Sequence, residues 1–175
     1  MDFDAKLLDE RLKAIGAHLN PADLAAAGAH FRMRELAAGE TLIKEGGSVP
    51  AACLVMDGSV LVLARVADKD IEVVRLGAGS LVGEVSFLDA GPATATVVAD
   101  SGATVATLDH PAWERLEREH PRAAMRLYHA FTSTVASRVR GATLHLEDLR
   151  DPDSPTRSPE ATMDAFRALF GLGMS

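Results

Sequence analysis

The chain has 175 residues, one cysteine, a 47% hydrophobic fraction and a formal net charge of −7, which allows one domain with an appendage and a real buried core. A single cysteine excludes an internal disulfide or a cysteine-built zinc site and points to a reducing, cytoplasmic setting. The acidic start Met1-Asp2-Phe3-Asp4 is no signal peptide, no apolar run nears the ~18 residues of a membrane span, and the acidic balance argues against a nucleic-acid binder.

Residues 1–30 read as N-terminal helices. Phe3, Leu7, Leu8, Leu12 and Ile15 recur at helical spacing over residues 3–18, which predicts an amphipathic helix. Asn20-Pro21 starts a second one, since Asn caps well and Pro is tolerated in the first turn. The alanine-rich run from Ala22 to His30 is expected to pack closely against something larger.

From residue 31 to 110 short β-rich pieces alternate with glycine. They are Thr41–Ile43, Cys53–Met56, Ser59–Arg65, Ile71–Leu76, Thr94–Ala99 and Thr104–Leu108. Their spacing and turn signals predict a small sandwich, barrel or jelly roll. Ser59–Leu63 is apolar on both faces, so that strand is expected to be covered on both. Cys53, in an apolar strand, reads as an inert core residue.

Residues 111–150 return to helix. Pro111 opens a short helix through Trp113 and Leu116, and Pro121 a longer one to about Arg150. Along the latter Tyr128, Thr132, Val135, Val139, Ala142, Leu146 and Leu149 fall at steps of four and three, a mixed heptad seam that reads as core or as a dimer interface. Residues 151–160 read as a linker, and Ala161–Met174 as a short amphipathic tail with Met163, Phe166 and Phe170 on one face.

Catalytic constellations are missing. His18, His30, His110, His120, His129 and His145 all fall in or beside helical stretches with no His-x-His, so neither a metal site nor an enzyme is expected. The informative segment is residues 81–97, Leu81 to Val97: a glycine turn, a short helical turn, Gly91-Pro92, then a strand. A short helix start suits a phosphate. Glu84 beside it would repel one, so accepting a sugar hydroxyl is its expected work.

Val82-Gly83-Glu84-Val85-Ser86-Phe87-Leu88 with Pro92-Ala93-Thr94-Ala95-Thr96 resembles the phosphate-binding cassette of the cyclic-nucleotide-binding domain family, found in catabolite-activator-type regulators and protein kinase A regulatory subunits. Ala38–Gly46, Val55–Val60, Arg75–Gly79 and His120-Pro121 extend the resemblance over about residues 20–150. It implies an α+β fold, a double-stranded β-helix or jelly-roll β-roll with N-terminal helices and a long C-terminal helix. It also implies a cAMP or cGMP ligand, with Glu84 on the ribose and Gly83 allowing close approach. Val85, Ser86, Thr94 and Ala95 would surround the phosphate, Val73 and Leu76 wall the purine, and Thr134 and Arg138 reach the base.

The family's phosphate arginine is replaced by Ala93. Its loss removes a bidentate charged contact, worth tens to hundreds of fold in affinity. Arg75 and Arg138 are the candidate substitutes. The expected function is a non-enzymatic regulatory domain that binds a cyclic nucleotide weakly and signals to a separate protein partner. Its homodimer would form through Tyr128, Val135, Val139, Ala142, Leu146 and Leu149. The alternative is a binding-incompetent interaction or dimerisation module. The tail is too short for a DNA-binding domain.

Overall fold

Capping side chains set the helix starts. Asp4 accepts the N–H groups of Lys6 and Leu7 and begins α1 (Ala5–Ala14). Asn20 accepts the Asp23 N–H at 2.8 Å and begins α2 (Pro21–Gly28), with Pro21 in its first turn. In each case a side-chain oxygen satisfies an N–H that the helix leaves unpaired. The computed structural model describes residues 4–66 and 69–150, and the side chains of residues 4–65 and 69–140. Phe3 and the linker and tail of residues 151–175 lie outside them.

The β region comprises β1 (Arg32–Leu36), β2 (Thr41–Ile43), β3 (Ala51–Asp57), β4 (Ser59–Val66), β5 (Lys69–Gly77), β6 (Leu81–Val82), β7 (Thr96–Ala99) and β8 (Ala103–Asp109), with α3 (Glu84–Asp89) between β6 and β7. Two four-stranded antiparallel sheets result, ordered β1-β8-β3-β6 and β2-β7-β4-β5. This is the expected β-roll. β1 and β6 were not legible as strands: β1 is mostly charged, and β6 is two residues long. The strand expected from Thr94 starts at Thr96 instead, after Ala93, whose backbone bonds to Gly46 and Gly47.

The doubly covered strand is β3, not β4. Five consecutive residues of β3 are buried, from Ala52 to Met56. Ala52, Leu54 and Met56 join the helix-side cluster around Leu8, Leu12, Trp113 and Phe131. Cys53 and Val55 point the other way, with their register partners Val82 and Val105. In β4, Val60 and Val62 are buried while Leu61 and Leu63 are only half-buried, so its outer face is open. Alternation thus decides the outcome where composition alone could not. At the tight turn from β3 to β4, Gly58 has φ +76°, and a Cβ there would lie 2.4 Å from the Gly102 carbonyl oxygen.

Asp109 caps α4 (His110–Glu119) by accepting the Ala112 N–H, and α5 runs Pro121–Arg150. The chain divides into two compact units after Thr132. In the first, α5 buries Ala123, Ala124, Leu127, Ala130 and Phe131. Arg126 fastens it to the N-terminal helices, donating to the His18 carbonyl at 3.0 Å and lying 3.7 Å from the Asp23 carboxylate.

Of the expected seam, Tyr128 is 46% and Val139 58% exposed, and Thr132 and Val135 are half-buried. Tyr128 nonetheless rests on Trp113 at 6.3 Å. The side chains of Ala142, Leu146 and Leu149 lie outside the described residues. In the second unit Thr134 and Arg138 are half-buried residues of α5.

Candidate functional site

β6 is two residues long and leads directly into the segment that follows. Cys53 pairs with Val82 and Leu54 with Leu81, and the next residue, Gly83, turns with φ +76°. Only glycine fits. A Cβ would stand 2.9 Å from Ile43 Cδ1, 3.0 Å from Val49 Cγ1 and 3.1 Å from the Ala51 carbonyl oxygen, and L-residues pay a penalty in this region regardless of space. The next residue, Glu84, is buried, at 1% exposed.

α3 then carries three buried side chains, Glu84, Ser86 and Phe87. Ser86 is 4% exposed, and its hydroxyl donates to the Pro92 carbonyl at 3.1 Å. That bond ties the helix to the turn after it, so the proton expected to face a phosphate is spent internally. The helix ends at Ala90, in the left-handed region at φ +56°, and the Asp89 carboxylate accepts the Gly91 N–H at 2.8 Å.

The 92–96 turn is laced to the loop after β2. Ala93 is buried, donates its N–H to the Gly47 carbonyl at 2.9 Å and accepts the Gly46 N–H at 2.8 Å. Thr96 Oγ1 accepts the Glu45 N–H at 3.1 Å. Thr94 is exposed and Ala95 half-buried. This Lys44–Gly47 clamp was missed as part of the site, although Gly46-Gly47 marked it as a turn. Pairing across 46 residues of chain is a tertiary fact.

Phe87 connects the segment to the helices, the second feature missed. Its ring stacks on His110 at 4.5 Å and 11°, and meets Trp113 at 5.8 Å and Phe131 at 6.2 Å edge-on, arrangements that favour aromatic pairs. Trp113 also packs on Phe131 at 6.4 Å. Helical spacing pointed to Trp113 as core but said nothing of Phe87 as its neighbour.

The other expected residues lie on other elements. Val73 and Leu76 are buried on β5, where the register slips between Val62 and Leu63 and turns both Val73 and Val74 inward. Arg75 is exposed on β5, ion-paired with Asp100 and 3.9 Å from the Glu72 carboxylate. Thr134 and Arg138 belong to the second unit. Among the described residues, no group of three His, Cys, Asp or Glu side chains is arranged to hold a metal ion.

Burial pushes the Cys53 thiol up to about 12, with Glu84 adding to the rise and Arg34 opposing it. A thiol titrating there is neutral at pH 8, and the thiolate is the reactive form. Cys53 is therefore expected to resist a thiol reagent at pH 8 in the folded protein and to react fully in denaturant. Rapid labelling of the native chain would contradict this.

Comparison with known proteins follows the same outline. The profile of the Cyclic nucleotide-binding domain family matches residues 33–120. A cAMP-dependent protein kinase regulatory subunit from Blastocladiella emersonii is 32% identical over 100 residues, 57% of this chain and 25% of that protein. The chain thus spans about a quarter of that curated relative. Among solved structures, a cyclic nucleotide-binding domain from Methylobacillus flagellatus superposes with a TM-score of 0.70 at 20% identity, covering 78% of this chain and 80% of the other. The Thermus thermophilus catabolite activator protein gives a TM-score of 0.69 at 27% identity, covering 78% and 62%. With the matched span running from β1 to the end of α4 and enclosing the segment just described, the chain belongs to the cyclic nucleotide-binding domain family.

Proposed function

We propose that this is a non-enzymatic regulatory domain whose Gly83–Thr96 segment binds a cyclic nucleotide, cAMP or cGMP, weakly, and passes its state to a partner protein. The observation that carries this reading is a Glu84 carboxyl buried directly behind the tight Gly83 turn, in a segment clamped at Ala93 by Gly46 and Gly47. A buried acceptor at the entrance of a rigid turn suits a ribose hydroxyl. Val85, Ser86, Thr94 and Ala95 surround the phosphate position in this reading, and Val73 and Leu76 wall the purine.

Transmission runs through Phe87. A shift of α3 moves a ring in contact with α4 through Trp113 and with α5 through Phe131. A ligand that favours one placement of α3 thereby biases those helices, which is a population shift. Because the chain has a single tryptophan, its fluorescence reports the same movement.

Calorimetric titration with cAMP and cGMP tests the reading, with binding expected in the micromolar-to-millimolar range. Glu84→Ala is expected to weaken it by about 10- to 100-fold, the worth of a hydrogen bond to a charged group. Unchanged affinity would remove Glu84 from the ribose. Absence of heat and of thermal shift at millimolar ligand would overturn binding altogether. It would favour the second reading, a dimerisation or interaction module, for which the exposed Met125 and Tyr128 on α5 speak.

A further inference from the structure

We infer that Glu45 is a positioning residue of the proposed site: its carboxylate holds the loop that grips the Gly83–Thr96 segment at both ends. The inference rests on the binding reading above and names a residue that sets the affinity of that same site. Residues 43–49 lie across the segment. Ile43 and Val49 stand against Gly83 at its start, where a Cβ would be 2.9 Å and 3.0 Å from their side chains. Toward its end, Gly46 and Gly47 bracket the Ala93 backbone, and the Glu45 N–H donates to Thr96 Oγ1.

The anchor of this loop follows from where β7 begins. β4 pairs with β7 from Val60 to Leu63, opposite Ala99 to Thr96, yet β4 runs on to Val66. Beyond Leu63 the chain of β7 has given way to the turn that carries Ala93. A strand N–H past the end of a ladder is left to a side chain or to water. The Arg65 N–H goes to Glu45 Oε2, at 3.0 Å and across 20 residues of chain. Glu45 therefore joins the two strands where their ladder stops: its carboxylate bonds β4 and its N–H bonds the first residue of β7.

Two halves of the proposed pocket meet at this residue. The register slip between Val62 and Leu63, which turns Val73 inward, lies two residues before Arg65. Fixing Arg65 thus fixes the stretch of β4 beside the purine wall. The remaining bonds of the loop fix Ala93 and Thr96 at the phosphate turn. The spacing of wall and turn is set through one carboxylate, the kind of supporting hydrogen bond that holds binding groups in productive geometry.

The test is calorimetric titration of the full chain with cAMP and cGMP, comparing wild type with Glu45→Ala and Glu45→Gln, each checked for folding by thermal unfolding. Both variants remove the same negative charge, but only Gln keeps an oxygen able to accept the Arg65 N–H. Glu45→Gln is expected to stay within about threefold of wild-type affinity, and Glu45→Ala to bind about tenfold more weakly. Amide hydrogen exchange reads the route. The Arg65 N–H and, beyond it, the Ala93 N–H are expected to exchange faster in Glu45→Ala and to stay protected in Glu45→Gln. Wild-type affinity in a folded Glu45→Ala, or equal loss in both variants, would overturn the inference and leave the proposed function standing. Faster exchange at Arg65 with none at Ala93 would do the same. Binding of neither nucleotide to the wild type would overturn both. If Glu45→Ala fails to fold, Glu45→Asp decides the point, since it keeps the charge and shortens the reach to Arg65. It is expected to bind several-fold more weakly, and unchanged affinity there would overturn the inference.

Discussion

Replacing Gly83 by alanine is expected to destabilise the protein by about 2–4 kcal/mol. Two costs combine: the left-handed backbone at φ +76°, about 1–2 kcal/mol for an L-residue, and overpacking in the lower part of its usual range, about 1–2 kcal/mol. The overpacking follows from the 2.9 Å approach to Ile43 and the 3.1 Å approach to the Ala51 carbonyl. Ile43 has some freedom to move, but the Ala51 carbonyl belongs to the β3 backbone and has little. Equilibrium denaturation with urea measures the loss. Wild-type stability in Gly83→Ala would show that the turn tolerates a Cβ.

Phe131→Ala is expected to cost more, about 3–5 kcal/mol, the range for removing a fully buried aromatic ring. Phe131 is fully buried and meets both Phe87 and Trp113. The cavity would open where the cassette helix α3, the short helix α4 and the start of α5 come together. Since domains are commonly stable by only about 5–15 kcal/mol, much of the total would be lost. The Trp113 emission spectrum gives an independent readout, with a red shift expected as water reaches its ring. A loss below about 1 kcal/mol with an unshifted spectrum would mean that Phe131 is not the packing hub. The milder Phe131→Leu then separates ring contacts from bulk volume, because it keeps most of the apolar contact.

The two substitutions probe opposite ends of one connection. Gly83 shapes the entry to α3, and Phe131 anchors the ring that leaves it. If Phe87 transmits the state of the cassette, Phe131→Leu should leave ligand affinity close to wild type while reducing the ligand-induced change in Trp113 fluorescence.

Much of the fold was legible in local chemistry. Asn20-Pro21 and Pro111 marked helix starts that the structure places in the first turns of α2 and α4. The β-rich, glycine-punctuated middle pointed to a roll, and its resemblance to a known family located the cassette at the loop between β6 and β7. Helical periodicity found Leu8, Leu12, Trp113 and Leu116, all of which are buried. It also found Tyr128 and Val139, which are exposed. The face of α5 that packs on the domain is instead the adjacent one, rich in alanine, where small side chains let the helix come close. A spacing rule finds a stripe without saying what the stripe meets.

For the site, the divide is sharper. Residue identities alone determined that the segment from Gly83 to Thr96 holds two acids and no base, and that the one tryptophan follows Pro111. These are properties of order and composition, independent of any contact. Only the tertiary structure decided how the polar groups are spent: Ser86 on Pro92, Ala93 on the Gly46-Gly47 turn, Arg75 on Asp100. The reason is that a hydroxyl, an N–H or a guanidinium is equally able to serve a ligand or a neighbour. Which of them it serves depends on what the fold brings within about 3 Å of it. The length and charge of the chain bounded it to one domain with an acidic character. The structure decided which groups of the segment from Gly83 to Thr96 are tied to one another and to their neighbours: the Ser86 hydroxyl to Pro92 and the Ala93 backbone to Gly46 and Gly47, because the fold brings the loop after β2 against it.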